Sequence, residues 1–336
     1  MQVKVSASEM KQVLNDLFIR YGFPTEKATS LAEVHTENTL YGVNSHGIDR
    51  VPKFIDYVKK GVVKIAAEAS CTSTFGSLER WDGNAGPGVL NAITCTDRAV
   101  TLAKSHGMGL VALRNTNHWM RGGYYGWRAA EAGCIAILFT NTQPNMPAWG
   151  GRESRTGNNP LVIAIPRKEG HVVLDMAMSQ FAFGKVNEYK LRGEDLPFPG
   201  GWDDQDELTT DPTRILANER GLPIGYWKGS ALAMVLDMLA TLLSAGNSTY
   251  RIGQEGYETA VSQIYLCISP AVFPDKELRS RLLQEIIDFN HSGPVMHEGG
   301  RTYYPGERAL EHRRRNLEEG MMVSNEIWKE VNGLLG

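Results

Sequence analysis

Three stretches of the chain, CIAILFTN (134–141), PLVIAIP (160–166) and SQIYLCIS (262–269), each contain an unbroken apolar run with no alternation. A strand with one wet face alternates apolar and polar residues. A strand that is apolar on both faces must be covered on both, which requires a sheet between layers of helices. The intervening segments supply such helices. GVLNAITCTDRAVTLAKSHG (88–107), YYGWRAAEAG (124–133), GSALAMVLDMLATLLSAG (229–246) and KELRSRLLQEIIDF (276–289) carry helical patterns. MGLVALRN (108–115) reads as a further strand, and PLVIAIP with HVVLDMAMS (171–179), joined by the polar RKEGH, reads as a hairpin. The expected fold class is α/β, with a mixed sheet layered with helices.

The segment before residue 70 has a different pattern. Ser6 and Glu9 have capping-box spacing, and Met10, Val13, Leu14, Leu17 and Phe18 follow as one apolar stripe. A second helix is predicted from about Thr25 to Tyr41 and a third after residue 47. ERALEHRRRNLEEG and SNEIWKEVNGLLG return to helix at the C-terminal end. The expected organisation is a helical domain from 1–70 plus 308–336, with Trp328 and Leu334 packing back onto the first helices. Residues 71–307 form an α/β region that binds cofactor and substrate.

Composition excludes several classes. A net charge of −3 over 336 residues gives no basis for wholesale phosphate-backbone binding. The longest apolar runs are too short to span a membrane. The first residues lack the apolar core of a secretory signal, and Cys71, Cys95, Cys134 and Cys267 form no C-x-x-C, so buried thiols in a cytoplasmic protein are expected. No metal-ligand spacing is present, and no metal is expected. Gly107-x-Gly109-x-x-Ala112 matches a loose dinucleotide fingerprint, but it follows a helix and opens a strand, the reverse of the required context.

The stretch SHGIDR (45–50) is harder to explain structurally. With Asn44 or Ser45 as N-cap, His46 and Arg50 would lie in or near the first turn of a helix. Two potential cations at that end are unfavourable by roughly 0.3–1 kcal/mol each. An anionic ligand reverses the sign. For a 2-keto or 2-hydroxy acid, Arg50 can hold the carboxylate in a fork, and His46 can exchange a proton with the reacting oxygen. A second Ser-His-Gly, at 105–107, places His106 at a helix C-terminus, where the dipole alone accounts for it.

SHGIDR, LVALRNTNHWMRGGYYGWRAAEAG, TNTQPNMPAWGG, NNPLVIAIP, VVLDMAMS, LTTDP, PIGYWKGSALAMVLDMLATLLSAG and YPGER together resemble, in order, the malate/L-lactate dehydrogenase type 2 family. This family is unrelated to the Rossmann lactate dehydrogenases. The resemblance spans nearly the whole chain and implies a nicotinamide oxidoreductase of 2-keto acids, using NADH or less readily NADPH, with the family's own fold and a homodimeric assembly. It implies His46 as proton donor and Arg50 as carboxylate grip, with Ser45 and His118 beside the substrate. Cofactor contacts would fall on His171, Val172, Val173, Leu174, Asp175, Met176 and Ala177, on Trp227 and Lys228, and on Gly306, Glu307 and Arg308. Malate, lactate, ureidoglycolate or sulfolactate oxidation and cyclic imino acid reduction remain alternatives within the family. A ligand-binding protein that kept the fold is a rival outside enzymology.

Overall fold

The computed structural model describes residues 2–273 and 275–336. The chain opens with strand β1 (Gln2–Val5) and helices α1 (Ala7–Arg20), α2 (Thr25–Leu40) and α3 (Val51–Lys59). Ser6 caps α1 by accepting the Glu9 amide at 3.1 Å, and Met10, Leu14, Leu17 and Phe18 are buried as the stripe requires. The α-helix expected to begin within SHGIDR starts later. Residues 44–46 and 48–50 form two single 3-10 turns that meet at Gly47, and α3 begins at Val51. Pro52 occupies its first turn, where a missing N–H costs nothing. His46 and Arg50 therefore precede the helix.

The next elements are β2 (Ser70–Phe75), β3 (Leu78–Asp82), α4 (Gly88–His106), β4 (Met108–Thr116), α5 (Gly122–Glu131) and β5 (Ile135–Thr140). A short ribbon, β6 (Met146–Pro147) and β7 (Ser154–Thr156), leads to the hairpin β8 (Leu161–Ile165) and β9 (Val172–Met176). Then come α6 (Phe183–Arg192), β10 (Gly201–Trp202), β11 (Leu208–Thr209) and α7 (Pro212–Asn218), a satellite built on Val186, Leu196 and Ile215. α8 (Trp227–Ser244), α9 (Thr249–Gln254), β12 (Val261–Ile268), α10 (Lys276–His291), α11 (Glu307–Glu319), β13 (Met321–Ser324) and α12 (Asn325–Leu335) complete the chain.

The main sheet has seven strands in the order β2-β3-β4-β12-β5-β8-β9. Its neighbours are antiparallel except β3 and β4, so it is mixed, as the sequence implies. Alternate residues leave on opposite faces. Val111, Leu113, Tyr265 and Cys267 pack with residues of α4 and α5, while Ala112, Phe139 and Ile264 meet Ala233, Leu236 and Ala240 of α8. Both faces are covered, which accounts for the uninterrupted apolar runs. β2 is an exposed edge strand of Ser and Thr, and its Cys71 is exposed. That corrects the expectation of four buried thiols; Cys95, Cys134 and Cys267 are buried and free. Among the described residues no helix is long and apolar enough to cross a membrane.

The chain ends meet. β1 pairs antiparallel with β13, Val5 opposite Met321 and Val3 opposite Val323. Met321, Val323 and Val331 share one apolar cluster with Met10, Leu14 and Phe18, and Trp328 and Leu334 pack at its margin. Met321 is 1% exposed and its neighbour Met322 45%, because successive residues of β13 face opposite ways. Met321→Ala is expected to lower stability by about 2–5 kcal/mol, and Met322→Ala by no more than about 0.5 kcal/mol. Urea unfolding of the two variants checks this contrast.

Candidate active site

One face of α2 fixes the 44–50 turn. Asn38 Nδ2 donates to the His46 carbonyl at 2.9 Å, and Thr39 Oγ1 accepts the Ile48 amide at 3.0 Å. His35 Nδ1 lies 3.0 Å from the Gly47 carbonyl, which fixes its proton on that nitrogen. Burial, chiefly, holds the His35 pKa down to about 4, so the ring stays neutral. Gly47 lies directly against this face. A Cβ there would come within 2.2 Å of Thr39 Oγ1 and 3.0 Å of the His35 carbonyl. The loop is held largely by its backbone, with Ile48 buried in the helical core, and the side chains of Ser45, His46 and Arg50 remain available.

Those side chains line a cleft of about 680 Å³ between the first helices, the sheet and the satellite. The size suits a substrate together with part of a cofactor. Ser45, His46, Arg50 and Lys53 come from the turn and α3, and His118 and Arg121 from the end of β4. Val173, Asp175 and Ala177 come from β9, Gly306 and Arg308 from the start of α11. From the satellite, Gly184 presses on Ser45, with room for no Cβ: one would sit 2.5 Å from the Ser45 Cβ.

The His46 and His118 rings stack with centroids 5.6 Å apart. Ser45 Oγ lies 3.3 Å from His46 Nδ1. His118 Nδ1 accepts the Met120 amide at 2.9 Å, so its proton is on Nε2, 4.0 Å from Glu258 Oε1. Burial, then His118 and Arg50 beside it, pull the His46 pKa down to about 3. Burial and the neighbouring Arg50 and Lys53 hold His118 well below its ordinary value. Both rings are therefore neutral at pH 7. Arg50 Nη2 donates to Glu258 Oε2 at 2.9 Å. Arg121 Nε donates to Asp175 Oδ2 at 3.1 Å, and its guanidinium lies 4.8 Å over the Tyr41 ring. Among the described residues no group of His, Cys, Asp and Glu is arranged to hold a metal.

A family model described as malate/L-lactate dehydrogenase matches residues 5–332. The chain belongs to this family. It is 41% identical to 2,3-diketo-L-gulonate reductase of Klebsiella pneumoniae over 333 residues, 99% of this chain and all of that protein. Identity to the Escherichia coli K12 protein of the same name is 40% over the same extent. Among solved structures, malate dehydrogenase of Entamoeba histolytica superposes with a TM-score of 0.94 at 25% identity, covering 99% of this chain and 97% of that one. Sulfolactate dehydrogenase of Methanocaldococcus jannaschii gives 0.88 at 27% identity, covering 99% and 96%. The protein is an oxidoreductase of a hydroxyl or keto group, and the family implies a nicotinamide cofactor.

The residues present fit such a cofactor. Two buried cleft atoms lack partners: the Arg121 Nη1 donor and the Asn145 Oδ1 acceptor. A carboxamide carries one group for each. Lys185 and Arg308 line the same cleft and offer basic groups toward phosphates.

Not every residue named by the resemblance reaches the cleft. Ser45, His46, Arg50, His118, Val173, Asp175, Ala177, Gly306 and Arg308 do. Val172, Leu174 and Met176 leave β9 on the other face, a consequence of strand alternation. His171 turns to Glu131 and to the Arg167 amide. Glu307 turns to His291 and Arg301. Trp227 and Lys228 open α8 on the exposed surface, outside this chain's cleft. Sequence reasoning missed Lys53, Arg121 and Glu258. Arg121 sits in the quoted NHWMRGG and was legible as a charge among glycines; Glu258, in the loop after α9, gave no signal.

Gly47→Ala is expected to cost about 1–3 kcal/mol through overpacking against α2, and to reduce turnover by displacing His46. Denaturant unfolding and initial rates on the same preparation test both parts.

Proposed function

We propose that the protein is an NADH-dependent reductase of 2,3-diketo-L-gulonate that forms 3-dehydro-L-gulonate. The near-full-length likeness to reductases of that name supports the substrate, and NADH is the cofactor that the resemblance read in the sequence implies. The observation that carries the chemistry is the presence of His46, His118 and Arg50 around one cleft. Arg50 spends one donor on Glu258, leaving the rest of its fork for the substrate carboxylate. The carbonyl beside that carboxylate then faces His46, which supplies the proton to its oxygen. Ser45 orients the His46 ring through Nδ1. When bound, the nicotinamide supplies the hydride. Val173, Asp175 and Ala177, with Gly306 and Arg308, would hold it against the opposite wall.

The helical unit, 1–70 with 308–336, closes this cleft over the α/β region, 71–307. The assembly we infer is a homodimer. Val235, Met238, Leu239 and Leu242 recur at helical spacing on the outer face of α8 and are exposed in the single chain. A self-complementary contact through this face would cover them. A reducing cytoplasm suits the free thiols.

The rate of NADH absorbance loss with 2,3-diketo-L-gulonate tests the assignment; no loss with this or any other 2-keto acid overturns it. His46→Ala is expected to lower kcat by about 10²–10⁴ while NADH still binds. The depressed His46 pKa sets the pH profile. Reduction needs the protonated ring, and above pH 3 its population falls about tenfold per unit. Log kcat/KM for reduction should thus decline by about one per pH unit from pH 5 to 8, without a plateau. A break near pH 6.5 would contradict this. Arg50→Lys should raise KM for the keto acid, because lysine keeps the charge and loses the fork.

A further inference from the structure

We propose that Glu258 determines substrate specificity, by making the pocket accept a polyhydroxylated monocarboxylate and reject a dicarboxylate. This inference rests on the reading of the cleft as a 2-keto acid site.

Glu258 carries a carboxylate into the part of the cleft where a substrate acid would bind. One oxygen takes Arg50 Nη2 at 2.9 Å and the other faces His118 Nε2 at 4.0 Å. Its side chain is only 10% exposed. The residue is also anchored on both sides. Its amide meets the Tyr57 hydroxyl at 3.4 Å, and the adjoining Thr259 Oγ1 donates to Asn117 Oδ1 at 2.9 Å, next to His118. Asn117 Nδ2 is itself held by the Ala85 and Gly86 carbonyls, both at 2.9 Å. The carboxylate is thus a fixed part of the wall.

At this end of the cleft Arg50 is already paired with Glu258, and Lys53 beside it lies under the influence of both Glu258 and Glu219. The two imidazoles are neutral. With two protein carboxylates already facing Arg50 and Lys53, the free donors of the Arg50 fork can take one substrate carboxylate. A second carboxylate would enter with no cation left and with Glu258 facing it, and an enclosed unpaired charge is strongly disfavoured. Substrate hydroxyls behave oppositely. An ionised carboxylate is acceptor-only, with lone pairs beyond those used by Arg50, and it can take O–H donors along a carbon chain.

The test compares kcat/KM for 2,3-diketo-L-gulonate and for oxaloacetate in the wild type, Glu258→Gln and Glu258→Asp. The expected result is that Glu258→Gln lowers the ratio in favour of the sugar acid by about tenfold or more, while Glu258→Asp, which keeps the charge, leaves it within about threefold. An unchanged ratio in Glu258→Gln, or an equal shift in both variants, overturns the proposal. Calorimetric dissociation constants for L-gulonate and malonate give the same comparison without turnover. If the wild type reduces no keto acid, the enzymatic reading fails. The specificity of Glu258 is then decided by whether Glu258→Gln tightens malonate relative to L-gulonate.

Discussion

The contacts from one face of α2 to the backbone of residues 46–48 are what the rest of the site depends on. A turn held by its side chains would have none free for chemistry. Here His35, Asn38 and Thr39 satisfy the carbonyls of His46 and Gly47 and the amide of Ile48, and Ile48 and Asn44 supply the remaining anchorage, so Ser45, His46 and Arg50 are not needed to hold the turn. The absence of a Cβ at Gly47 permits the close approach. His35, in turn, is buried among Phe18 and Phe54, so the position of the 44–50 turn is set by the packing of the helical unit. That unit is completed by β13 and α12 from the other end of the chain.

Burial also sets the charge state of the site. Two stacked imidazoles in a partly enclosed cleft beside an arginine remain neutral, because each added proton would be poorly solvated and close to another cation. Among the charges that persist, Arg50 with Glu258 and Arg121 with Asp175 occur as pairs. On the proposed reading, an incoming carboxylate would supply negative charge near His46 and favour the imidazolium that reduction requires. Substrate binding and proton supply would then be coupled through the electrostatics of one wall.

The layered sheet was legible in the sequence because burial on both faces leaves continuous apolar runs, as in Ile135–Thr140 and Val261–Ile268. The exposed edge strand Ser70–Phe75 and the satellite helices were not, since exposed Ser and Thr or short polar helices carry no periodic signal. In the site, His46 and Arg50 stood out because a cation-rich turn conflicts with local helix electrostatics. Their place ahead of α3, and not in its first turn, depended on the break at Gly47, which reflects contact with α2 more than local preference. The family pattern named the whole of His171–Ala177, but strand alternation sends only Val173, Asp175 and Ala177 into the cleft. Glu258 became visible only once α9 and the following loop had been placed over Arg50.

The central claim is that a keto acid binds with its carboxylate on Arg50 and its carbonyl toward His46. A crystal structure of the protein with NADH and oxamate, an unreactive analogue of a 2-keto acid, tests it most directly. The expected result is the oxamate carboxylate on the Arg50 guanidinium, with the amide carbonyl oxygen about 3 Å from a His46 ring nitrogen. Oxamate bound elsewhere in the cleft, with Arg50 still held only by Glu258 and His46 out of reach, would contradict it.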